Sequence, residues 1–302
     1  MDYVLILLAV TCYVAQFAFT KVYGGMVKQT ASTSLMMLLI IGTTGAVMCF
    51  CISGFSVDFS AVSVMWAAVF ALVTIPYYLI GVKVLSMGSL AIYSMFMMLG
   101  GMLVPVAYGV LFLREAASAG KLLGTVLLTA FIVMQALTQK TPEVTQKAEG
   151  KQKILFFTLC MAIFFINGST SVIAKAHQLS VNAVNEASFT TTACCFIAIL
   201  SALLLTIFSV KDPGNVKREL TQMLKWRTTG MVAGISIVQQ SGNLLLLKAA
   251  SSVPASVQFP LISGGVIVLS ALVSAFVFRE KLSKVEWIAI AGAFVSTVLY
   301  AF

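Results

Sequence analysis

Charge is what this 302-residue chain has least of. Only 10% of its residues are Asp, Glu, Lys or Arg, against roughly 25% in an ordinary globular domain. The shortage falls hardest on acids. All ten (Asp2, Asp58, Glu115, Glu143, Glu149, Glu186, Asp212, Glu219, Glu280 and Glu286) lie between apolar runs or at their ends. No carboxylate is expected at the middle of a membrane helix, which argues against a carrier whose buried acid binds a proton and a cation in turn. A strongly cationic solute would find no counter-ion. Histidine occurs once, at His177. The six cysteines (Cys12, Cys49, Cys51, Cys160, Cys194, Cys195) have no C-x-x-C spacing, so neither a disulfide framework nor a zinc site is indicated. No G-x-x-x-x-G-K-S/T sequence supports a nucleotide-driven pump, and no cofactor is expected. No nucleophilic triad or carboxylate pair lies at depth, so the chain does not read as an enzyme.

What is present is apolar surface: 60% of residues are hydrophobic and the mean hydropathy is +1.02. A bilayer core takes about 20 apolar residues per helical crossing. Runs of that kind are expected at Tyr3–Thr20, Ser34–Ser53, Val62–Val82, Leu90–Leu113, Leu122–Leu137, Ile154–Ala174, Ser188–Ser209, Thr228–Leu247, Ala255–Phe278 and Val285–Phe302. They lack the alternation of barrel strands, and backbone amides in lipid must be paired within the segment, so the expected fold is an all-α membrane protein of ten transmembrane helices. Met1–Asp2 lacks a basic leader region, and the first run is expected to be retained as a span.

Two polar segments, Gln139–Lys153 and Lys211–Arg227, show no hydrophobic periodicity and read as exposed loops. Of the 19 Lys and Arg, fifteen fall with the loops after spans 1, 3, 5, 7 and 9, and four with those after spans 4, 6 and 8. The positive-inside rule places the fifteen-charge side, including loops 139–153 and 211–227, in the cytoplasm, with both termini outside a cell membrane. The net charge of +9 then reflects loops beside an anionic leaflet, not a nucleic-acid surface.

The chain also repeats itself. Leu113-Arg114-Glu115 returns 165 residues later as Phe278-Arg279-Glu280, and the same offset pairs Lys83 with Lys248, Ser86 with Ser251 and Gly100 with Gly265. Upstream the offset is 154, pairing Lys21 with Lys175, so about 11 extra residues fit within Lys211–Arg227. The units are residues 1–138 and 154–302, joined by a polar linker at 139–153. Each unit has five spans. An odd number forces the second copy to enter from the opposite side, giving two inverted five-helix repeats, an arrangement recurrent in secondary transporters.

Lys83-x-x-Ser86, Lys248-x-x-Ser251, Pro260, Glu115 and Glu280 resemble the signature of the drug/metabolite transporter superfamily, EamA type. That resemblance covers both halves. It implies alternating-access transport and a central cavity lined by spans 1, 3, 4, 6, 8 and 9.

Polar residues at depth are where a solute would be held, because they are costly unless they face a cavity or a partner helix. The candidates are Tyr13, Gln16, Tyr77, Tyr78, Tyr93, Asn167, Gln239, Gln240, Asn243 and Gln258. Gln239 and Asn243 share a helix face at i,i+4 and Gln240 adjoins Asn243 at i,i+3. Amides both donate and accept, which suits a small neutral or zwitterionic, amino-acid-like metabolite, moved as efflux. Two other readings stay open: uptake of a quaternary ammonium solute through an aromatic cage of Tyr13, Tyr77, Tyr78, Tyr93 and Phe96, and a non-transporting assembly or sensor module. The same polar groups also serve as glue between helices. Lys21, Lys83, Lys175 and Lys248 are expected to snorkel to headgroups, His177 to sit just beyond span 6, and Glu115 to favour the start of the fifth helix. The bilayer and a small-molecule substrate are the expected partners, and the chain is expected to be a monomer or homodimer.

Overall fold

The computed structural model describes residues 2–87, 90–116, 118–138, 150–211, 213–277 and 284–299. Among these are eleven helices: α1 (Asp2–Gly24), α2 (Ala31–Ile52), α3 (Ala61–Met87), α4 (Leu90–Leu111), α5 (Ala119–Thr138), α6 (Gly150–Gln178), α7 (Glu186–Lys211), α8 (Pro213–Met223), α9 (Trp226–Ala250), α10 (Ala255–Phe276) and α11 (Lys284–Val298). Strands are absent among the described residues. Eight helices (α1 to α4, α6, α7, α9 and α10) are long and apolar enough to cross a membrane. The fifth and tenth expected spans correspond to α5 and α11, whose apolar stretches, Ala119–Met134 and Trp287–Ser296, are shorter.

Local chemistry sets several boundaries. α2 starts three residues before its apolar run because Thr30 and Thr33 form a reciprocal cap: each hydroxyl accepts the other's backbone N–H, at 3.1 and 2.8 Å. Pro76, Pro105 and Pro260 lie inside α3, α4 and α10.

One expectation fails here. Part of Lys211–Arg227 is the helix α8, not an exposed loop. Its apolar stripe, Val216, Leu220 and Met223, is too short to resemble a span, yet Val216 and Met223 are buried against Tyr23, Val27 and Met36. Pro213 at the first helical position suits the helix start. Residues 139–149 and the Arg279-Glu280 pair lie outside the described residues.

α2 packs along α7, α1 against α9 and α10, α4 and α3 against α6, α3 against α7, α2 against α9, and α4 against α10. α5 and α11 pack on each other beside this ring. α4 and α6 approach closely through their backbones: a Cβ added at Gly100 would meet the Phe164 carbonyl oxygen at 2.1 Å, and one at Gly168 would meet Val104 Cβ at 2.3 Å. Where α10 crosses α1, Gly265 faces Val10.

Candidate functional site

The ring encloses a cavity of about 320 Å³ lined by residues of α1, α2, α3, α4, α6, α7, α9 and α10. The lining residues include no Asp, Glu, Lys, Arg or His. Tyrosine and phenylalanine rings, Met97 and Met98 make up much of the wall. Its polarity comes from amides and hydroxyls. Six lining spans were expected; α2 contributes as well through Leu38 and Ile41, and α7 through Phe189, Thr190, Ala193, Cys194 and Ile197. These are mostly apolar, and an apolar residue facing a cavity is indistinguishable in sequence from one facing lipid. Thr74, Thr170, Ser171, Thr190 and Ser263 are further lining hydroxyls that sequence reasoning did not single out. A helical Ser or Thr bonding its own i−4 carbonyl leaves no mark in the sequence, as Thr74 does to Phe70 and Thr190 to Glu186.

Eight of the ten candidate residues converge on the cavity: Tyr13, Gln16, Tyr77, Tyr78, Asn167, Gln239, Gln240 and Asn243. A relay lies in its lining. The Tyr13 hydroxyl donates to Asn243 Oδ1 at 2.8 Å, and Asn243 Nδ2 donates to Gln240 Oε1 at 2.9 Å. Gln240 is buried against Gly45 of α2, where the missing side chain leaves it room. Tyr78 of α3 pairs with Gln239 of α9, and the Tyr77 and Tyr78 rings meet edge to face with centroids 5.3 Å apart. Asn167 lines the cavity and also donates to the Met97 carbonyl at 2.7 Å, stitching α6 to α4 over Gly101.

Tyr93 and Gln258 are not among the lining residues. Tyr93 stands behind the wall, its hydroxyl over Gly81 and paired with that of Tyr77, in a packed cluster with Phe96, Val84 and Phe156. The five rings of the supposed cage therefore do not surround one space. Gln258, 0% exposed, donates to the Leu246 carbonyl at 2.8 Å and joins α10 to α9.

Two charged side chains lie just outside the cavity lining. Beyond the lining residues Ala174, Leu247 and Phe259, the Lys175 side chain is 3% exposed and donates to the Ala250 and Val253 carbonyls, the latter at 2.7 Å. It does not snorkel. It satisfies carbonyls left open where α9 ends. Pro254, the N-cap of α10, offers no side-chain oxygen. Glu115 supplies two instead: Oε1 accepts from Ala255 N and Oε2 from Ser256 N, each at 2.7 Å. Glu115 does sit at a helix start, but the helix it caps is α10 and not α5. To get there the chain turns at Arg114, with φ 54°, and folds the carboxylate back over Gly109, where a Cβ would lie 2.6 Å from Oε2. Lys175 and Glu115 attract one another across the turn they hold.

His177 also differs from expectation. It lies in the last turn of α6, 0% exposed, stacked on the cavity-lining ring of Phe189 at 3.8 Å between centroids. Its Nε2 pairs with Ser63 Oγ at 2.9 Å, and that oxygen also accepts the Val184 N–H. Nearby, Asn185 donates to Asp58 and Ser188 accepts the Asp58 N–H. The connections α2–α3, α4–α5, α6–α7 and α9–α10 are thus tied together on one face.

The comparisons with known proteins speak to fold. A solved crystal structure superposes with a TM-score of 0.71 over 100% of this chain and 98% of its own, at 15% sequence identity. No family model and no curated protein matches the chain.

Proposed function

We propose that this protein is a secondary transporter of a small uncharged or zwitterionic metabolite, amino-acid-like in size, exporting it across the cell membrane by alternating access. The observation that carries this reading is the cavity at the centre of the helix ring, whose lining has no charged residue and includes the Tyr13–Asn243–Gln240 relay. Tyr13 comes from the N-terminal five-helix unit and the two amides from the C-terminal one. A solute bound there would touch both units.

Ten spans in two inverted repeats, as in the drug/metabolite transporters, suit the packing. Exchanging α1 to α5 with α6, α7, α9, α10 and α11 turns each major contact into another: α1 on α9 becomes α6 on α3, α4 on α6 becomes α10 on α1, and α2 on α7 and α5 on α11 become themselves. Two halves so related can trade conformations at similar energy. The face clasped by Lys175 and Glu115 is then the shut one. The charge distribution orients that face outward.

Reconstitution tests the reading. Protein in liposomes is assayed for flux of a panel of neutral and zwitterionic metabolites, with and without a pH gradient. Asn243→Ala removes both bonds of the relay and is expected to lower flux of the transported solute by about tenfold to a hundredfold, the equivalent of losing one or two ligand hydrogen bonds. Gln240→Ala is expected to have a smaller effect in the same direction. Absence of flux for every solute would favour a non-transporting module, and a wild-type rate in Asn243→Ala would remove the relay from the site.

A further inference from the structure

α8 belongs neither to the cavity nor to the clasped face. Its inner side is occupied: Val216 and Met223 are buried, and the Tyr23 hydroxyl donates to Met223 Sδ at 3.4 Å. Its outer side and the corner leading into α9 combine two kinds of group. Lys217, Arg218, Lys225 and Arg227 are exposed, with the half-buried Glu219 the one acid in this stretch. Among them Leu224 is 64% and Trp226 86% exposed. Such apolar exposure is unfavourable in water and favourable at a lipid boundary, where tryptophan is enriched and cations meet headgroups.

The level of α8 is fixed by its neighbours. α7 and α9 are both of membrane-crossing length, and α8 joins the end of one to the start of the other. The exposed flank of α7 runs through Ile207 to Val210, and that of α9 begins at Trp226. Leu224 and Trp226 therefore continue an apolar belt, and the four cations sit where that belt ends.

We propose that α8 and the α8–α9 corner form a binding surface for anionic phospholipid. The phosphodiester and acidic headgroup contact Lys217, Arg218, Lys225 and Arg227, while Leu224 and Trp226 lie among the upper acyl-chain carbons. The partner is a lipid in the leaflet, since the apolar pair has no use for a free anion. This inference does not depend on transport.

The test uses the full chain in nanodiscs with equal amounts of phosphatidylcholine and phosphatidylglycerol, the acyl chains of one or the other brominated. Trp66→Phe and Trp287→Phe leave Trp226 as the single tryptophan of the three. Brominated phosphatidylglycerol is expected to quench Trp226 about twofold or more over brominated phosphatidylcholine. Converting all four cations to glutamine is expected to equalise the two lipids while both still quench, with the thermal melt unchanged. Excess inorganic phosphate is expected not to compete. Equal quenching in the parent protein, a preference that survives the four substitutions, competition by phosphate, or no quenching by either lipid would each overturn the proposal.

Discussion

Glu115→Ala lowers stability by roughly 3–5 kcal/mol, because two charge-assisted hydrogen bonds to the first amides of α10 are lost and the buried Lys175 ammonium loses its nearest counter-charge. The readout is thermal unfolding of purified protein in mild detergent. Glu115→Gln keeps an acceptor and gives up the charge, so its melt falls between alanine and wild type. Lys175→Met removes the two bonds to Ala250 and Val253. Both side chains clasp the same four-residue turn, so the double variant Glu115→Gln, Lys175→Met is expected to be less damaged than the sum of the singles by about 1 kcal/mol or more. Strict additivity would show that the two residues act separately. A wild-type melt for Glu115→Ala would show that water replaces the carboxylate without cost. In the proposed cycle this face must open, and loosening its clasp favours the opened state. A cysteine placed at Ser252 is then expected to react faster with a membrane-impermeant thiol reagent in the Glu115→Gln background than in the parent.

Gly100→Ala is expected to cost about 3 kcal/mol, at the upper end of what overpacking usually costs. The added methyl would occupy the space of the Phe164 carbonyl, and a backbone atom cannot rotate aside as a side chain can. Relief requires α4 and α6 to separate, which also stretches the bond from Asn167 to the Met97 carbonyl. Gly234→Ala is the contrast. Nothing lies within 4 Å of a Cβ at that position in α9, and the substitution is expected to be neutral or to stabilise by about 0.5–1 kcal/mol through the unfolded chain. Equal melts for the two variants would refute the close crossing of α4 and α6.

The helices were legible because a long apolar run in a chain this poor in charge has few alternatives. Their ends were less so. Thr30 caps α2 through a residue only three positions away, which is a local signal, whereas Lys175 and Glu115 act on carbonyls and amides 75 to 141 residues distant. The preference of a carboxylate for a helix start is a local property, but which helix Glu115 reaches depends on the packing of distant segments. α8 was not legible because its stripe of three apolar residues is short and set among charges. In the cavity, the amides and phenols at depth stood out by their cost in lipid, and eight of ten do face one space. Tyr93 and Gln258 stood out for the same reason but make their hydrogen bonds between packed helices, Tyr93 with Tyr77 and Gln258 through Nε2 to the Leu246 carbonyl. Depth alone cannot separate those two environments.

The clasp on the α9–α10 turn has a consequence for biogenesis. Glu115 is synthesised 140 residues before the first amide it caps, and Lys175 about 75 residues before its carbonyls. While the first helices emerge from the ribosome, both must remain hydrated or borrow temporary partners at the bilayer edge. Closure of this face awaits insertion of α10, so it is a late event in maturation, and a polypeptide truncated before residue 255 would leave the Glu115 carboxylate without the amides it caps.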